Sequence, residues 1–204
     1  EELSCKPLPA LRNGYVTFGC FTAIARITDK VISTWAKILT ALPNSKLYLK
    51  DRHLADKECC RLVVDRFNSS GISDRQLILA GPSTRSEYLA SYEDVDIALS
   101  PFPYGGGTIS VEGMWMGVPV ITMKGDHFVS HIGETIAWNT GMESWIANDE
   151  KDYVDKAIRY ASNLDELANI RGELRTKLKG SPLMDTKKFA VNFENAIRKI
   201  CLGV

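Results

Sequence analysis

Residues 95–123, VDIALSPFPYGGGTISVEGMWMGVPVITM, contain a strand, a loop, a helix and a second strand in succession, and the reading of this stretch decides the fold. Residues 95–99 and 119–123 are short aliphatic and β-branched runs, each bounded by turn-forming residues, which is the pattern of buried strands. Between them the chain passes two prolines and three glycines and becomes helical at about Thr108. A strand followed by a helix and another strand implies a crossover connection and therefore a parallel pair.

The same alternation extends in both directions. Residues 15–21 (YVTFGCF) read as a strand, and a helix follows with Thr28 or Asp29 as N-cap. Its apolar positions Val31, Trp35, Ile38, Leu39 and Leu42 recur at helical spacing up to Pro43. Residues 45–49 are a strand, 55–70 a helix closed by Gly71, 76–80 (QLILA) a strand and 86–92 a short helix. Trp145 and Ile146 mark a last short strand. Two apolar stripes follow, Tyr153, Ala157, Tyr160, Ala161 and Leu164, then Phe189, Phe193, Ala196, Ile197 and Ile200, and both are expected to cover a sheet. The expected fold is α/β, a doubly wound Rossmann-like parallel sheet with helices on both faces. No repeat or linker divides residues 1–204, so one domain is expected.

Composition narrows the classes of function. The chain has 204 residues, 45% hydrophobic and 25% charged, with 25 basic and 25 acidic side chains. With no net charge, there is no global field to attract nucleic acid or an anionic membrane, so an anion has to be held by a local device. No apolar run approaches the roughly 20 residues of a membrane span, and the N-terminal EELSCKP lacks the regions of a signal peptide, so a cytoplasmic chain is expected. Five cysteines without C-x-x-C spacing indicate reduced thiols rather than a disulfide framework or a zinc site. No metal cluster is apparent.

The local device is expected in the glycine loop. In open α/β sheets, ligands bind at the C-terminal ends of the strands, where this loop lies. Gly105, Gly106 and Gly107 permit left-handed backbone and close approach to a ligand, while Thr108 and the first helical amides present free N–H groups to a phosphate. Glu112, one turn beyond Thr108 on the same helix face, can accept hydrogen bonds from two vicinal ribose hydroxyls. A flexible turn and a dipole-complementing glutamate are the alternative reading of the same residues. The loop lacks the Gly-Lys-Ser/Thr of a Walker motif. The first strand is followed by Cys20-Phe-Thr-Ala rather than a glycine turn, which disfavours a dehydrogenase.

Five segments carry a resemblance to a family: LPALRNGYVTFGCF (8–21), LPNSKLYLK (42–50), DIALSPFPYGGGT (96–108), EGMWMGVPVIT (112–122) and SPLMDTKKF (181–189). Together they resemble the C-terminal half of the GT-B catalytic region in the O-GlcNAc transferase and SPINDLY family of protein O-glycosyltransferases. The resemblance implies an inverting enzyme that transfers N-acetylglucosamine from UDP-GlcNAc to Ser or Thr of a protein acceptor, without a cofactor or metal. It also implies a partner half, the N-terminal catalytic domain, and tetratricopeptide repeats upstream. A SPINDLY-like use of GDP-fucose and a non-catalytic binding member are alternatives.

By the same resemblance, Gly105, Gly106, Gly107 and Thr108 hold the diphosphate and Glu112 contacts ribose. The turn at Ser83 reads the base edge. Arg85 stands for a basic residue there, and Tyr88, in place of a histidine, either stacks on the base or belongs to the core. Arg26, in place of a lysine, is the catalytic residue that stabilises the departing diphosphate. His127 and His131, with Lys124 and Asp126, fall in a polar segment at the mouth of the cleft and are either structural or in contact with sugar or phosphate. Lys50, Asp51, Arg52 and His53, at the end of the second strand, face either the cleft or solvent.

Overall fold

The computed structural model describes residues 4–203, so Glu1, Glu2 and Leu3 of the N-terminal stretch read above, and Val204, lie outside the described residues. Six strands form one sheet: β1 (Thr17–Cys20), β2 (Lys46–Lys50), β3 (Leu77–Ala80), β4 (Ile97–Leu99), β5 (Val120–Met123) and β6 (Ile146–Ala147). Their order across the sheet is β3-β2-β1-β4-β5-β6, and every neighbouring pair is parallel. The sequence order reverses between β1 and β4. There the connections leave the sheet in opposite directions and open a crevice.

The helices fall close to their expected places. α1 (Pro9–Asn13) is an additional short helix ahead of β1, α2 spans Asp29–Ala41 and α3 spans Lys57–Asn68. α4 (Arg85–Ala90), α5 (Thr108–Trp115) and α6 (His131–Asn139) follow. The Thr28 hydroxyl caps α2 by accepting from the Val31 amide, and Asp56 caps α3 from Cys59. Thr84 and Glu87 form a reciprocal capping box on α4. Gly71, with φ of +84°, ends the α3 turn in the left-handed region that favours glycine.

Burial follows the strands. Phe18, Leu47, Leu49, Ile97 and Ile121 are fully buried with Trp35 and Ile38 of α2, and Trp145 stacks on Tyr160 at 3.8 Å between ring centres. The expected stripe from Tyr153 to Leu164 is divided between two helices. α7 (Glu150–Ala161) ends at Ser162, and Asn163 caps α8 (Leu164–Lys179) by accepting from the Glu166 amide. Arg171 of α8 is buried, donating to the carbonyls of Lys6, Val95 and Tyr92.

One expectation is corrected. The last helix, α9 (Thr186–Leu202), covers no sheet and has no buried residue; Phe189, Phe193 and Ile200 are 66%, 57% and 78% exposed. Its stripe has the right period, but the chain turns away after Ser181. Helical periodicity reports that a face is apolar and is silent about what lies opposite it.

Two outcomes follow from this packing. Among the described residues, none from 186 to 203 has a buried side chain, so on removal of residues 186–204 the melting temperature of the remaining chain is expected to stay within about 2 °C, given that roughly 1 kcal/mol corresponds to 2–4 °C at this size. The second concerns Asp96, which is fully buried and accepts the amides of Ala10 and Thr17, both at 2.8 Å. Burial pushes its carboxyl from 3.8 up to about 6, against the pull of those amides and of Arg171. Because the folded state holds this proton more tightly than the unfolded chain, the group's contribution to stability is complete below its unfolded value of 3.8 and is lost as pH rises through about 6. Carboxyl-carbon NMR is expected to show a midpoint near 6 for Asp96; a midpoint at or below the ordinary aspartate value overturns this.

Candidate functional site

A cleft of about 630 Å³ opens over the C-terminal ends of β1, β2 and β3. Its walls are Phe21 and Ala23 after β1, Lys50, Asp51 and Arg52 at the end of β2, Gly81, Pro82, Ser83, Arg85 and Tyr88 after β3, and Thr108, Ile109 and Glu112 of α5. Ser83, Arg85, Tyr88, Thr108 and Glu112, far apart in sequence, therefore share one space. The glycines are not among the lining residues and run beside it as the approach to α5.

No side chain caps α5, whose N-cap is Gly107, so the first amides of the helix lack the partner that Thr28 or Thr84 provides elsewhere. The carbonyls of Gly105 and Gly106 are both occupied, the first by Arg26 Nη1 at 3.0 Å and the second by Ser110 Oγ at 2.7 Å. Acceptors that would repel an anion are thus turned to protein donors. The left-handed backbone expected of this loop is not found, since none of the three glycines has positive φ. Space favours glycine at two of the three positions: a Cβ on Gly105 would lie 2.7 Å from Ser100 Oγ and one on Gly106 3.2 Å from Ser110 Oγ, whereas one on Gly107 would be in ordinary contact at 3.5 Å from Ile132.

Glu112 is the polar centre of the cleft. One carboxylate oxygen pairs with Arg85 at 2.6 Å and the other accepts from the Tyr88 hydroxyl at 3.0 Å. Tyr88 also meets the Tyr92 hydroxyl at 3.2 Å and packs its ring against Phe21 and Tyr92, while the Arg85 guanidinium lies 5.4 Å from its ring centre. Burial pushes the Tyr88 hydroxyl up to about 12, so it remains a donor to Glu112 throughout the neutral range. Tyr88 is thus part of an aromatic cluster with one polar contact facing the cleft. Its hold on Glu112 joins residues 24 apart in the chain, a contact that no local sequence pattern signals.

Other candidates separate. Arg26 lies on a short 3-10 turn after β1, exposed and bonded to the glycine loop. Lys50, Asp51 and Arg52 face the cleft, and His53 binds Asp51 at 2.7 Å. His127 belongs to a turn shared with Ser130, and His131 pairs with Glu134 at 2.8 Å; neither lines the cleft. The five cysteines are free. Among the described residues, no group of three or more His, Cys, Asp or Glu is placed to hold a metal ion, and no helix is long and apolar enough to cross a membrane.

Comparison with other proteins identifies the family. The profile of glycosyl transferase family 41 matches residues 3–193. A tomato (Solanum lycopersicum) protein described as a probable UDP-N-acetylglucosamine–peptide N-acetylglucosaminyltransferase SPINDLY is 38% identical over 199 residues, which is 95% of this chain and 21% of that protein. A mutant (K341M) of the O-GlcNAc transferase of Thermobaculum terrenum superposes with a TM-score of 0.87 at 33% identity, over 92% of this chain and 36% of that one. WaaG, a glycosyltransferase involved in lipopolysaccharide biosynthesis, shares the fold at a TM-score of 0.61 and 16% identity, covering 91% of this chain and 49% of that one. The chain thus spans about a fifth of the length of the curated relatives it matches.

The packing of the loop is open to test. Gly105→Ala is expected to cost about 1–3 kcal/mol by overpacking, read from denaturant unfolding. In a Ser100→Ala background, where the clashing Oγ is gone, most of that cost should vanish. Equal cost in both backgrounds would show that contact with Ser100 is not what excludes a side chain.

Proposed function

The chain belongs to glycosyl transferase family 41, and from that premise we propose that it is the donor-binding domain of an inverting protein O-glycosyltransferase. The proposed donor is UDP-N-acetylglucosamine and the acceptor a protein Ser or Thr. One observation carries the reading: the uncapped N-terminus of α5 and the Glu112 carboxylate stand in the same cleft as the Ser83–Tyr88 segment. A nucleoside diphosphate has the matching order of groups. Its phosphates suit the α5 amides, its ribose diol suits Glu112, and its base suits the turn beyond β3.

In the proposed reaction the acceptor hydroxyl oxygen attacks the anomeric carbon from the face opposite the diphosphate. The bond from that carbon to the phosphate oxygen breaks, its electron pair leaves with UDP, and the hydroxyl proton is released, so configuration inverts. Negative charge accumulates on the departing diphosphate. Arg26, next to the loop through Gly105, and the α5 amides are the groups proposed to stabilise it. Arg26 is permanently charged and can grip two phosphate oxygens. An N-terminal catalytic domain is the proposed second wall; the matched region is 36% of the T. terrenum chain, which leaves length for one.

Calorimetric titration tests the donor site. The chain is expected to bind UDP, and Glu112→Ala to weaken it about tenfold or more, as loss of a hydrogen bond to a charged group does. Unchanged affinity in that variant would remove Glu112 from the site. The chain alone is expected to transfer little sugar from UDP-GlcNAc to peptide, and efficient transfer would contradict the need for a second wall.

A further inference from the structure

Lys50 has a place in the cleft that its position at a strand end does not reveal. It is the last residue of β2, its Cα in register with Ala80 of β3, and it is only 7% exposed although it lines the cleft. Its ammonium donates to the Gly81 carbonyl at 3.1 Å, the one hydrogen bond it makes among the described residues. A lysine ammonium has three N–H donors and no acceptor. Glu87 supplies an opposite charge nearby, but burying an ammonium with a single hydrogen bond is costly unless other acceptors arrive.

The direction of the cleft indicates which acceptors these are. A nucleotide with phosphates at the α5 amides and ribose at Glu112 extends its base toward Gly81, Pro82 and Ser83, where the Lys50 ammonium is anchored. The turn sits tightly against the chain after β2, since a Cβ on Gly81 would lie 3.2 Å from the Ala55 amide nitrogen, so the anchor is fixed. Of the other charges nearby, Arg52 also lines the cleft and Glu87 lies close enough to Lys50 to interact with it electrostatically. Asp51 Oδ1 is taken by the His53 amide and ring, Arg85 is held by Glu112, and Glu87 is bound in the α4 capping box.

We infer that Lys50 is a specificity-determining residue that donates to a ring carbonyl oxygen of the nucleotide base. The site then selects oxo bases, uracil or guanine, over the amino bases cytosine and adenine. A group with donors alone donates to O4 of uracil or O6 of guanine and is left facing another donor by the amino group that replaces it. This inference rests on the nucleotide-site reading above and adds the identity of the base edge.

Titration of the chain with UDP, CDP, GDP and ADP is the test. UDP is expected to bind about ten- to a hundredfold more tightly than CDP, and GDP than ADP; the tighter of UDP and GDP identifies which oxo base the site prefers. Lys50→Met should bring the UDP/CDP ratio close to one with little change in melting temperature. Lys50→Gln, which offers both a donor and an acceptor, should relax the choice without removing the polar contact. Lys50→Arg keeps the donors and should keep the preference. Equal binding of UDP and CDP by the unaltered chain, or a ratio that survives Lys50→Met, overturns the role of Lys50 and leaves the nucleotide site standing. Failure of all four nucleotides to bind overturns the site reading itself and this inference with it.

Discussion

Strand β1 pairs on both sides, with β2 along four residues and with β4 along only two, and the rest of the structure depends on that shorter pairing. It joins the two halves of the sheet at the place where their connections diverge. Asp96 secures it, since the carboxylate just before β4 takes the amide of Thr17 at the start of β1 and that of Ala10 in α1. Gly19 permits the close approach, because a Cβ there would come within 2.7 Å of Val95. A carboxylate accepting two amides in a buried site is strong where satisfied and costly where broken, so the junction is both rigid and specific.

The cleft follows from this junction. With β1 and β4 adjacent, the segment after β1 and the glycine loop after β4 meet above the strand ends, and Arg26 Nη1 reaches the Gly105 carbonyl. The same geometry brings α4 beside α5, so that Arg85 and Tyr88 both reach Glu112. A glutamate held by two partners is pre-oriented before any ligand arrives, which lowers the ordering cost of binding. Tyr88 also belongs to the cluster of Phe21, Tyr92, Val95, Met116 and Val118, which ties the orientation of Glu112 to packing beneath it.

Arg171 extends the junction to the far end of the chain. From α8 it bonds to carbonyls at Lys6, Tyr92 and Val95, joining the N-terminal segment, the turn before β4 and the C-terminal helices. Beyond Ser181 no comparable anchor exists among the described residues of α9, whose side chains remain exposed.

Much of the fold was legible in the sequence because strands and helices are written in local periodicity. Thr28, Gly71, Thr108 and the six strand cores fall where the pattern placed them, with ends shifted by one or two residues. The loop before α5 and the shared helix face of Thr108 and Glu112 were legible for the same reason. What lies across space was not. Whether Lys50 faces the cleft or solvent, whether Tyr88 serves the core or the site, and whether α9 covers a sheet all depend on neighbours at long sequence separation. The sequence by itself determined which segments become strands and helices and which of their faces are apolar. Only the tertiary structure decided which polar side chains meet at the strand ends, because burial and hydrogen bonding at β1 and β4 are set by pairing between distant segments rather than by local preference.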